Sequence, residues 1–206
     1  MKKDLKEYLT SFFVYTPDSL HNERLLNRPY KWQGIKEDIN LINSLDPTLV
    51  LDLGCGDNRY KNLVKNLTGI DIAPRPNVDI VGDFTKLNFE NNTVDAIIAY
   101  GSINFGDTDL ITQQLTEAKR VLKENGIICF RALSTNDKFC YNWTEERINY
   151  FSKLLEFKMH KEPTTIYRIN QKGEINENWK DRRSVRYYKN ESKKRKLTRL
   201  HWIWKK

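Results

Sequence analysis

One stretch constrains the fold more than any other: Val50-Leu51-Asp52-Leu53-Gly54-Cys55-Gly56-Asp57-Asn58-Arg59-Tyr60. An apolar run holding a single acid stops at two glycines one residue apart and then turns polar. A buried strand that ends in a tight turn reads this way. Glycine adopts backbone conformations closed to other residues and lets another group approach the main chain. After this turn, short apolar runs alternate with helical patterns. Strands are predicted at 48–53, 67–72, 78–82, 94–100 and 127–133, and helices at 4–14, 31–45, 59–66, 109–125 and 144–157. In the second helix Trp32, Ile35, Ile39 and Ile42 recur at three- and four-residue spacing, which makes one apolar face. Gly126 is the expected stop of helix 109–125, and Thr144 the expected start of helix 144–157.

Strands alternating with helices imply a parallel sheet covered on both faces, and near-continuous apolar strands agree. The last third differs. Residues 164–170 and 197–205 alternate like strands, with a polar basic stretch between them. They predict an antiparallel hairpin closing one sheet edge. The expected fold is therefore α/β, a Rossmann-like three-layer sandwich with a mostly parallel seven-stranded sheet and a C-terminal antiparallel hairpin. One domain is expected over residues 1–206: a helical cap at 1–46, a ligand-binding core at 47–135 and a C-terminal half at 136–206.

Composition narrows the class. With 39% hydrophobic and 30% charged residues the chain reads as globular. No apolar run approaches the ~18–20 residues that span a bilayer, so no membrane partner is expected. No signal peptide is read at the N-terminus. Cys55, Cys129 and Cys140 lack metal-ligand spacing, which suits a reducing cytoplasm and gives no metal site. The net charge of +8 is uneven: residues 179–206 carry +10, leaving −2 on the rest. Such a tail is either a solvated hairpin or a surface for an anionic partner.

In an open α/β sheet, ligands bind beyond the carboxyl ends of the strands. The turn after the first strand suits a dinucleotide or S-adenosylmethionine. The dinucleotide fingerprint needs a glycine where Arg59 stands, so a pyrophosphate cradle is poorly supported. Asp52, two residues before Gly54, would repel a pyrophosphate but suits a ligand carrying an ammonium and a sulfonium.

Over residues 30–135 the sequence resembles the class I S-adenosylmethionine-dependent methyltransferases, and among these the type 11-like group. Residues 50–58 resemble the first motif, with Asn58 where the pattern has a third glycine. Asn tolerates the left-handed backbone conformation. "GIDIAP" at 69–74 resembles the second motif, "VGDFTKLNF" at 81–89 the third, and "VDAIIAYGSINF" at 94–105 the fourth. Residues 115–130 resemble the helix, turn and strand that follow.

The resemblance implies S-adenosylmethionine as cofactor, held by Asp52, Gly54, Cys55, Gly56, Asn58, Asp71, Ile72, Asp83, Phe84, Tyr100 and Gly101. Asp71 would accept the ribose hydroxyls, Asp83 would take the adenine amino group, and Phe84 would hold the ring. Tyr100 is the candidate for orienting an acceptor, with Tyr30, Ser102 and Asn104 beside it; Tyr100 alternatively caps the core with its ring. Arg28 and Trp32 are candidates for the cofactor carboxylate or an acceptor ring, Trp32 alternatively anchoring its helix. His21, His160 and His201 are candidate bases only in principle.

The fourth motif lacks both the tetrapeptide of many amino-methylating nucleic-acid enzymes and the Pro-Cys pair of cytosine-C5 enzymes. Three readings stay open. A small-molecule acceptor leads. A nucleic acid, RNA above all, could bind residues 179–206, where Lys and Arg interleave with Tyr187, Tyr188, Trp202 and Trp204. A non-catalytic module with this cofactor fold is the third.

Overall fold

The computed structural model describes residues 33–75, 77–134, 140–166 and 198–206. Predictions that fall on residues 4–14, Tyr30 and 167–197 lie outside them. Seven strands form one sheet in the order β3-β2-β1-β4-β5-β7-β6. They are β1 (Val50–Leu53), β2 (Leu67–Asp71), β3 (Ile80–Val81), β4 (Val94–Tyr100), β5 (Leu122–Ser134), β6 (Lys158–Thr165) and β7 (Thr198–Lys205). The first five are parallel. β7 runs antiparallel between β5 and β6. This is the expected mostly parallel sheet with an antiparallel C-terminal pair.

Two faces make two cores. On one lies α1 (Ile35–Ser44), whose Ile35, Ile39 and Ile42 meet Val50, Ala96, Ile98, Cys129 and Ile203. The other carries α2 (Thr108–Val121) and α3 (Glu145–Leu154) over Leu51, Leu53, Ile97, Phe130, Trp202 and Trp204. Alternate residues of β1, β4, β5 and β7 divide between the two cores, and β1 is buried throughout. Asp107 caps α2 by accepting from the Leu110 N–H, and Thr144 caps α3 by accepting from the Arg147 N–H, as its position predicted.

Four predicted elements change. Residues 59–66 form successive turns, with Lys61 N–H to Asn58 O at 3.1 Å and Leu63 N–H to Tyr60 O at 2.9 Å. Left-handed residues at Asn58 and Asn66 bracket this segment. The stretch between them is too short to repay helix nucleation. Helix 109–125 ends at Val121, because Leu122 turns extended and pairs with Val94 at the start of β5. Gly126 therefore sits within β5, where a Cβ would lie 2.9 Å from the Asp95 carbonyl. The strand predicted at 78–82 shrinks to Ile80–Val81. Of the strand predicted at 164–170, residues 164 and 165 close β6, which begins at Lys158, and 167–170 lie outside the described residues. Pro163 hides the start of β6 in the sequence, yet an edge strand tolerates a residue without an N–H.

Candidate functional site

The carboxyl ends of β1, β2 and β4 converge on the glycine turn. Gly54 and Cys55 both donate backbone N–H groups to the Ile70 carbonyl, at 2.7 and 3.0 Å, which ties the turn to β2. Gly54 has φ +71, and a Cβ there would lie 2.4 Å from Ser102 Cβ. Only glycine allows the β4 exit to close over the turn. Gly56 (φ +57) and Gly101 (φ +88) differ: a Cβ on either would meet nothing within 4 Å. Both leave main chain open to a ligand.

Three acids stand along these strand ends. Asp71 is buried at the end of β2. Its Oδ2 accepts from the Gly56 N–H at 2.9 Å and its Oδ1 from the Ala73 N–H at 3.0 Å. Each oxygen keeps a second lone pair. Ile72 beside it is half-buried. Asp83 accepts from the Thr85 N–H at 2.9 Å, and Phe84 beside it is buried, with its ring edge near the Gly54 turn.

Asp52 is 3% exposed, and its Oδ2 has no hydrogen-bond partner among the described residues. Burial pushes its carboxyl up to about 7; Arg59 and Arg131 draw it down and Asp71 raises it further. An orphaned acid oxygen beside two open glycines fits a ligand with an ammonium group.

Asn58, in place of a third glycine, has φ +51 and is buried. Its Nδ2 donates to the Asn77 carbonyl at 2.8 Å and to Asp79 Oδ2 at 3.0 Å. A Cβ on Gly69 would lie 2.6 Å from Asn58 Cγ, so the amide fills the space that this glycine leaves. Asp79 also accepts from the Gly69 N–H at 2.7 Å and from Lys61 Nζ at 2.8 Å. The departure from the motif is thus built into the fold on both sides.

Tyr100 closes β4 and is half-buried. Its hydroxyl donates to Asp38 Oδ2 at 2.5 Å, and His201 Nε2 lies 2.6 Å from the same oxygen. Asp38 and His201 are both buried. The ring packs edge-on against Tyr60, and the Arg131 guanidinium lies over it at 5.4 Å. The ring therefore caps the core, and its hydroxyl joins α1 to the sheet. His201 serves the same network, and His160 is exposed on edge strand β6.

Ser102 Oγ is buried and has no hydrogen-bond partner among the described residues. Asn104 is fully buried, and its carbonyl accepts from the Tyr141 N–H at 2.9 Å, which makes it a loop anchor. Arg28, Tyr30, Trp32 and His21 lie outside the described residues. Burial pushes the Cys55 thiol up to about 12, with Asp52, Asp71 and Asp79 adding to the effect, and burial likewise raises Cys129. Neither is a ready thiolate.

Sequence reasoning missed Asp38. The signal was present, since Ile35, Asp38, Ile39 and Ile42 share one helix face, and an acid on an apolar stripe needs a buried donor.

Residues 51–130 match the family described as methyltransferase domain. An uncharacterized protein of Methanocaldococcus jannaschii is 31% identical over 148 residues, 66% of this chain and 54% of that protein, so the match spans about half of that relative. Among solved structures, the 1,6-didemethyltoxoflavin-N1-methyltransferase of Burkholderia thailandensis, with bound 1,6-didemethyltoxoflavin and S-adenosylhomocysteine, superposes with a TM-score of 0.63 at 13% identity. That match covers 98% of this chain and 87% of the other. A SAM-dependent methyltransferase of Archaeoglobus fulgidus gives 0.54 at 15% identity, covering 84% and 96%. The PH0226 protein of Pyrococcus horikoshii gives 0.53 at 18%, covering 97% and 98%. Residues 51–130 thus resemble a methyltransferase domain in sequence, and the fold is that of the S-adenosylmethionine-dependent methyltransferases on which the chain superposes.

Proposed function

We propose that this chain transfers a methyl group from S-adenosylmethionine to a small-molecule acceptor above the ends of β1 and β4. The observation that carries the reading is the orphaned, buried Asp52 Oδ2 beside the open glycines, with Asp71 and Asp83 on the neighbouring strand ends. Asp52 would hold the ammonium, Asp71 the ribose hydroxyls, and Asp83 with Phe84 the adenine. Ile72 would flank the sugar, and the backbone at Gly54, Cys55, Gly56 and Gly101 would border the ligand. When bound, the cofactor supplies a methyl group already activated on a sulfonium. The chain's own task is then to bind, to orient the acceptor and to exclude water. Ser102, with an unused hydroxyl on the β4 exit, is the described residue best placed to touch the acceptor.

One observation favours a small acceptor over a nucleic acid. Trp202 and Trp204 are buried, stacked on Phe130 and Phe157, so they offer no platform for bases. Lys193–Lys196, Tyr187 and Tyr188 lie outside the described residues. Among the described residues, no helix is long and apolar enough to cross a membrane. Three free thiols fit a reducing cytoplasm as the place of action.

Calorimetric titration with S-adenosylmethionine, then S-adenosylhomocysteine, with NAD as control, tests the cofactor. Saturable binding of the first two alone supports it. No binding at millimolar ligand would leave a non-catalytic module as the better description.

A further inference from the structure

We infer that loading this site is coupled to proton release: the ligand-free site keeps a proton on the Asp52 carboxyl, and an entering ammonium group displaces it. The inference rests on the cofactor reading above and adds to it a control by pH. Asp52 occupies the third position of β1 with both sheet faces covered. A buried carboxylate oxygen without a donor is costly when ionised and much cheaper when protonated.

The groups that face Asp52 do not remove that cost. Asp71 at the end of β2 repels a charge there, while Arg131 on β5 and Arg59 in the turn segment attract it. Arg59 is exposed and screened by water, and the Arg131 guanidinium lies over the Tyr100 ring with Nη2 3.2 Å from the Tyr100 carbonyl. From β4, the Tyr100 hydroxyl goes to Asp38 on α1. The Cys55 thiol next in line is held neutral by burial. Burial outweighs these attractions and holds the carboxyl at about 7.

The exchange balances simply. A neutral carboxyl meets a ligand ammonium, the O–H proton passes to buffer, and a carboxylate–ammonium pair remains. Charge in the site rises by the ligand's cation and falls by the released proton, so the buried cluster gains no net charge from the ammonium. Below pH 7 the proton competes with the ligand. Affinity for an amino-bearing ligand should then climb by about tenfold per pH unit until Asp52 ionises unaided. A nucleoside without the amino-acid end should bind with no such dependence.

The test is titration calorimetry of the full chain with S-adenosylhomocysteine at pH 6, in buffers of differing ionisation enthalpy. The slope of heat against that enthalpy counts the protons released. The expected result is close to one proton for S-adenosylhomocysteine and none for 5′-methylthioadenosine, which lacks the amino-acid end. Asp52→Asn, of the same shape, should bind S-adenosylhomocysteine more weakly above pH 8 and release no proton at pH 6. Binding by the parent with no proton released would overturn the inference and leave the cofactor reading standing. Equal release with both ligands would also overturn it, since the proton would then come from another group. Absence of binding by either ligand would fail the cofactor reading itself, and the inference with it.

Discussion

Replacing Asn58 and Gly69 singly and together would show whether the third motif position is a degraded glycine or one half of a built pair. Gly69→Ala places a methyl group 2.6 Å from the Asn58 side-chain carbon, so the amide must leave. Its bonds to the Asn77 carbonyl and the Asp79 carboxylate go with it. A neutral hydrogen bond is worth about 1 kcal/mol and one to a charged group about 1.5–3, so a loss of roughly 2–3 kcal/mol is expected. Asn58→Gly gives up the same bonds but recovers up to about 1 kcal/mol from the left-handed backbone position, φ +51. In the double variant the alanine methyl enters a vacated slot, and the change at 69 should cost nothing. The two single losses should therefore exceed the double loss by about 2–3 kcal/mol. Urea unfolding of the four proteins measures this. For a chain of this size the Gly69→Ala melting temperature should fall by roughly 4–10 °C. Additivity within about 0.5 kcal/mol would refute the pairing. So would an Asn58→Gly variant of unchanged stability that binds S-adenosylhomocysteine more tightly, because Asn58 would then be a worn glycine and nothing more.

Asp71→Asn turns one carboxylate oxygen into a donor facing the Gly56 or Ala73 N–H. It should weaken S-adenosylhomocysteine binding by about tenfold or more, from a loss of roughly 1.5–3 kcal/mol, and calorimetry beside a thermal melt separates binding from folding. Asp52→Asn should stabilise the ligand-free protein at pH 8. The Asp52 carboxyl is raised from 3.8 to about 7, so its stability contribution is full below pH 3.8 and lost as pH rises through about 7. That window corresponds to a cost on the order of 4 kcal/mol, which the amide avoids. Asp95 works in the opposite sense. Burial alone would raise it, but bonds from Lys123, Leu49 and Thr48 outweigh that and hold it at about 2. Its contribution is present above the ordinary value near 3.8 and lost as pH falls through about 2, so Asp95→Asn should flatten the acid limb of a pH–stability curve in that window.

The parallel core was legible because its signals are local and repeated. Apolar runs of strand length, each followed by a polar turn, give β1, β2 and β4, while Asp52 and Asp71 stand out through the resemblance to the methyltransferase motifs. What failed was decided by partners distant in sequence. Leu122 has helix propensity and helical spacing, yet Val94 claims it for the sheet. Residues 59–66 hold a helix-like apolar pattern, but Asn58 and Lys61 are tied to Asp79, eighteen or more residues on, and the segment bends into turns. The start of β6 at Lys158 was hidden because an edge strand needs neither alternation on two faces nor an unbroken row of donors, so Pro163 reads as a break where the sheet accepts it.

Tyr100 shows which contacts spacing along the chain does not carry. Its motif position put it beside the acceptor, and position alone says nothing of where a hydroxyl finds its acceptor atom. Asp38 is 62 residues earlier and His201 is 101 residues later, on separate elements, and all three meet at one carboxylate oxygen. Buried polar groups must be satisfied, so the acid on the apolar face of α1 had to draw donors from the sheet. Asp52 Oδ2 and Ser102 Oγ, on β1 and at the β4 exit, are among the buried polar atoms that the described residues leave without a hydrogen-bond partner. Function in this fold is therefore read less from which polar residues stand at the strand ends than from which of them the protein has not already used.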